Sequence, residues 1–152
     1  MLAYQPTGLV DNRFLPSDGS IADMWGAFYK ANNRILQIQD YDASALGVYS
    51  EILDVFSAMI YYNMVVAWGD VPYVLDYDKI MSGGFYFTRT DQDDILDDLA
   101  RKLTAAIDVL EEKKNESLNL KVMNDMNKFF FVSKDVARIL LSNIYMYCGK
   151  YA

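Results

Sequence analysis

Histidine is absent from this 152-residue chain, and no other absence excludes as much chemistry. Without an imidazole there is no Ser-His-Asp triad, no histidine general base and no histidine-bound metal. One cysteine, Cys148, cannot close an internal disulfide and offers no thiolate cluster for zinc or iron–sulfur ligation. It stands among apolar residues with no base beside it in sequence, so it reads as packing rather than as a nucleophile. Cations are also scarce: 14 Lys and Arg against 21 Asp and Glu give a formal net charge of −7. A nucleic-acid surface needs stripes of Lys and Arg against phosphates, so no nucleic-acid partner is expected. Eight Gly and three Pro are too few for a collagen-like or low-complexity chain. The first fifteen residues lack an apolar core of signal-peptide length and a lipid-attachment Cys, so an exported protein would be represented here in trimmed form. The longest charge-free stretch, Val55 to Gly69, falls short of the roughly 20 residues that span a bilayer.

Apolar residues, by contrast, make up 53% of the chain and aromatic residues 14%, enough for one packed domain without disulfide or metal support. Residues 1–19 read as irregular. From Ser20 the apolar positions Ile21, Met24, Trp25, Phe28, Ile35 and Leu36 recur near the helical period, which predicts a first helix over 20–39 with Ser20 as its N-cap. A second helix over 43–68, capped by Asp42, is apolar almost all round and is expected to be central and buried, with Phe56 in its core stripe. Gly69 suits a left-handed residue just past that helix, and Pro72 blocks continuation. Residues 69–90 form a long aromatic connection. Thr90 is expected to cap a third helix running to about Glu112. Residues 113–128 read as a solvated loop, and Phe129-Phe130-Phe131 as a return to the core. A fourth helix begins at Ser133, turns Val136, Ala137, Leu140, Leu141, Ile144 and Tyr145 inward, and ends at Gly149. The expected fold is all-α, four main helices paired as antiparallel hairpins with long loops and little or no sheet.

Chemistry-bearing groups are few. Asp91, Asp93, Asp94, Asp97 and Asp98 could serve acid–base work or calcium, but the EF-hand spacing fails, and anions in a first turn simply complement the helix dipole. No catalytic residue, cofactor or metal is therefore expected. An aspartate-dependent hydrolase would need two of these carboxylates to converge in a pocket. Trp68, Tyr73, Tyr77 and Tyr86 cluster near the exit of the second helix, where flat rings with polar tips suit either sugar stacking or core packing. In the first helix Trp25 and Asn32 pose the same choice, since an Asn on an apolar helix needs a partner, a carbonyl or a ligand hydroxyl.

Trp68-Gly69-Asp70-Val71-Pro72-Tyr73-Val74, after a long Tyr-rich apolar helix, resembles the SusD/RagB family of outer-membrane nutrient-binding lipoproteins. Trp25, Tyr29, Asn32 and Leu36 before it are similar to the family's preceding helix. Arg89, Asp98-Leu99 and Ala106-Ile107-Asp108-Val109-Leu110 follow in the family's order, as do Val132 to Ala137, Leu140-Leu141 and Tyr145 to Tyr151. The resemblance implies a tetratricopeptide-like helical arrangement and a single helical domain over 1–152, a fragment or truncated form of a longer SusD-like protein. It implies a non-enzymatic surface protein that captures glycans, oligosaccharides or peptides. Its partner would be a TonB-dependent, SusC-like transporter, and its location the outer membrane, as a cell-surface lipoprotein. Trp25, Asn32, Trp68, Tyr73, Tyr77 and Tyr86 are then the ligand-binding candidates. The alternative is a helical-repeat scaffold that binds a protein and no small molecule. The fourth helix lacks a following partner, so an exposed apolar patch is expected on it, covered by a homodimer through that helix or by a further repeat.

Overall fold

The computed structural model describes residues 19–41, 46–47, 49–83, 86–110 and 132–150. Among them are five helices: α1 (Gly19–Tyr41), α2 (Tyr49–Trp68), α3 (Tyr77–Met81), α4 (Gln92–Val109) and α5 (Lys134–Tyr147). The all-α class holds; among the described residues the only β-type pairing is an isolated antiparallel bridge between Val71 and Thr90. The four long helices correspond to the four predicted ones, though α2 starts at Tyr49 and not at 43, after Gly47 in the left-handed conformation (φ 50°), and α3 is a single extra turn inside the long connection.

Neighbours in sequence are neighbours in space: α1 packs on α2, α2 on α4 and α4 on α5. Side-chain contacts fix their directions. Trp25 near the start of α1 meets Trp68 at the end of α2, while Gln39 near the end of α1 reaches Asp54 near the start of α2. Lys150 just past α5 pairs with Asp97 in the first half of α4. The long helices therefore run antiparallel as two hairpins, α1/α2 and α4/α5, joined by contact of α2 with α4.

Packing between the hairpins makes the core. Val55, Tyr61, Met64 and Val65 of α2 are fully buried against Ile95, Leu99 and Leu103 of α4, with Ala137 and Ile144 of α5 beyond. Each such large side chain contributes about 1.5–3 kcal/mol relative to exposure, which is why α2 is central. The expectation of burial all round α2 is nonetheless wrong. Phe56 is 42% exposed and Met59 and Val66 are open too, because α1, α4 and α5 leave one flank of the helix to solvent.

Helix ends also differ from expectation in detail. Ser20 lies inside α1, which already includes Gly19, so it is not the N-cap. Asp91 rather than Thr90 caps α4, accepting a bond from the Asp93 amide at 2.8 Å, because Thr90 is held back in the bridge to Val71. α4 ends at Val109, three residues earlier than expected. Ser133 does stand at the N-cap of α5, though its side chain makes no capping bond. Gly69 and Gly149 adopt φ of 68° and 67°, the left-handed conformation that stops α2 and α5. The Asp42 cap, the polar stretch 113–128 and Phe129-Phe130-Phe131 lie outside the described residues.

Candidate functional site

Segment 69–76 leaves α2 and runs back along the α1/α2 hairpin, from the Trp25/Trp68 end toward Asn32 and Tyr61 in the middle of the two helices. Extended backbone away from a sheet has no ladder partners, so its buried polar groups must find side chains. They do. The Tyr29 hydroxyl donates to the Pro72 carbonyl at 2.8 Å. Asn32, wholly buried, donates through Nδ2 to the Val74 carbonyl at 3.0 Å. The Tyr61 hydroxyl donates to that same carbonyl at 3.1 Å and accepts from the Val74 amide at 2.9 Å. At the start of the segment the Asp70 carboxylate caps the Gln92 amide at 3.1 Å, and Arg89 donates to the Asp70 carbonyl at 2.8 Å. Thr90 donates to the Val71 carbonyl at 3.0 Å and completes the bridge.

Tyr73 carries the segment onto α4. Its ring packs edge-on to Tyr61 at 4.6 Å, and its hydroxyl donates to Asp98 Oδ2 at 2.7 Å while accepting from Lys102 Nζ at 3.2 Å. Lys102 also pairs with Asp98 at 3.1 Å, and Arg101 bonds the other carboxylate oxygen. Burial alone would raise the Asp98 pKa, but the bonds from Tyr73, Arg101 and Lys102 outweigh it and bring it down to about 2. Burial pushes the Tyr61 phenol up to about 12, with Tyr29 and Tyr73 raised as well, Tyr73 further by the Asp98 charge. Burial likewise raises Asp54, although Lys102 and Gln39 pull the other way.

The six sequence candidates therefore divide. Asn32 and Tyr73 hold the segment, Tyr73 with its hydroxyl paired on both sides and Asn32 through Nδ2, its buried Oδ1 having no hydrogen-bond partner among the described residues. Trp25 and Trp68 are half-buried and meet edge-to-face at 5.2 Å, with Phe28 against Trp68 at 6.1 Å; this aromatic corner reaches the surface at the hairpin end. Tyr77 opens α3, half-buried. Tyr86 is 99% exposed. A concave feature lies between α2 and α5, a groove of 390 Å³ lined by Met59, Tyr62, Asn63, Val136, Ile139, Leu140 and Asn143, none of them a candidate from sequence. The signal for it was present in the Met59/Tyr62/Asn63 flank of α2, which reads as core unless one knows that α5 stops short of covering it. Of the side chains expected to be exposed on the last helix, Tyr147 is exposed and Cys148 half-buried, whereas Ile144 is buried; Ile139 and Met146 are exposed as well. Tyr145, expected inward, is 40% exposed.

At the acidic start of α4, Asp91 caps the helix, Asp97 meets Lys150, and Asp98 is held by Tyr73, Arg101 and Lys102. Among the described residues no group of His, Cys, Asp or Glu is arranged to hold a metal ion, and no helix is long and apolar enough to cross a membrane.

The helical architecture is similar to part of one solved structure. A SusD-like carbohydrate binding protein from Bacteroides fragilis NCTC 9343, known from its crystal structure, superposes with a TM-score of 0.66 at 19% identity. The match covers 88% of this chain and 25% of that one, so the chain spans about a quarter of its structural relative, and the likeness is one of fold. No family model and no curated protein matches the sequence.

Proposed function

We propose that this chain is the helical part of a surface carbohydrate-binding protein of the SusD-like type, a binder and not an enzyme. The observation that carries the reading is the fold match over 88% of the chain, with the sequence resemblance around Trp68 to Val74 beside it. An acidic protein of net charge −7 suits uncharged glycans better than polyanions. Contact would fall to the surface edge of the Trp25/Trp68 corner and to Tyr77 and Tyr86, with Asn32 and Tyr73 acting from beneath. Delivery to a TonB-dependent transporter and a lipoprotein's place at the outer membrane belong to the same reading.

Calorimetric titration with neutral oligosaccharides, alongside uronic-acid-containing ones, tests it. Binding of a neutral glycan that weakens at least fivefold in Trp25→Ala or Tyr86→Ala is the expected result. No binding to any oligosaccharide, with the protein folded, would overturn the proposal. The scaffold reading rests on the apolar groove between α2 and α5, and for it Ile139→Asp would abolish association with a protein or a second copy while glycans bind neither form.

A further inference from the structure

We draw no further inference here: the strongest candidate, the apolar groove between α2 and α5 lined by Met59, Tyr62, Val136, Ile139 and Leu140 with the exposed face of α5 beside it, is an unpartnered surface and nothing in the structure shows what covers it.

Discussion

Replacing Tyr61 by Phe removes one oxygen from the centre of the molecule. The ring is wholly buried and stays packed edge-on to Tyr73, so no cavity of consequence opens. What is lost is the pair of bonds to Val74, donated at 3.1 Å to its carbonyl and accepted at 2.9 Å from its amide. These two losses differ in weight. The Val74 carbonyl keeps Asn32 Nδ2 at 3.0 Å, so losing one of two donors costs only the net value of a bond, about 1 kcal/mol. The Val74 amide has no such second partner in the bracket, and Val74 is 4% exposed, so its stranded N–H adds about 1–3 kcal/mol of unmet desolvation. The expected destabilisation is about 2–4 kcal/mol, measured by urea denaturation at pH 7 with an unchanged m-value. Asn32→Ala in the Tyr61→Phe background should then cost more than in the wild type, because it strips the carbonyl of its last donor. A Tyr61→Phe loss below about 0.5 kcal/mol would refute the reasoning, since it would mean that water reaches Val74 and that the segment is not held by buried phenols.

Three further outcomes follow from the same geometry. At Gly69, where φ is 68° and an added Cβ would meet nothing nearer than Gln92 Oε1 at 3.9 Å, the cost of substitution is backbone strain alone. Equilibrium unfolding should rank Val worst and Asn mildest, with Val losing roughly 1–3 kcal/mol. Tyr29, Tyr61 and Tyr73 have raised pKa values in the folded state, so the stability they give is complete below pH 10 and is lost as pH climbs toward 12. Ultraviolet titration should accordingly show a tyrosine fraction that ionises only as the far-ultraviolet helix signal collapses; ionisation of all tyrosines near pH 10 without unfolding would contradict this. Asp98 runs the opposite way: lowered to about 2, it contributes stability that is whole above the ordinary carboxylate range and fades as pH falls toward 2. Asp98→Asn should cost about 1 kcal/mol at pH 7, after solvent screening, and the gap to wild type should close by pH 2; a gap that persists there would show that packing and not charge is responsible.

Helix periodicity made most of this fold legible. Ile95, Leu96, Leu99 and Leu103 form a stripe with nothing apolar opposite, and the structure buries all four. α2 was harder for the converse reason. A helix apolar on every face does not say which flank its neighbours leave open, and Phe56 and Met59 turned out to lie on that flank. The N-cap of α4 was misplaced by one residue because Thr and Asp cap equally well in sequence, and only the long-range bridge from Thr90 to Val71 decides between them. The bracket around residues 69–76 was invisible for a related reason. Tyr29, Asn32 and Tyr61 stand 43, 42 and 13 positions from the backbone atoms they hold, and no local pattern encodes such pairs.

That bracket also orders the candidate residues by what they are free to do. A ligand hydroxyl bonding to Tyr73 would have to displace the Asp98 carboxylate, exchanging a buried bond for another of equal value and gaining nothing. Asn32 spends Nδ2 on the Val74 carbonyl, while its Oδ1 is buried without a hydrogen-bond partner among the described residues. Tyr73 is therefore committed to structure. Pinning Pro72, Val74 and Asp70 fixes where the chain departs toward α3, and the Val71–Thr90 bridge fixes where it returns. Between these two anchors in sequence stand Tyr77 and Tyr86, and the Trp25/Trp68 corner comes to the surface at the hairpin end. Flat rings on a preset loop are suited to stacking, because holding the backbone in place beforehand removes the ordering cost that a loose aromatic would incur on binding. On the proposed reading, the backbone from Asp70 to Val74 serves by anchoring the loop, and contact would fall to exposed rings, Trp68 at the start of the motif among them.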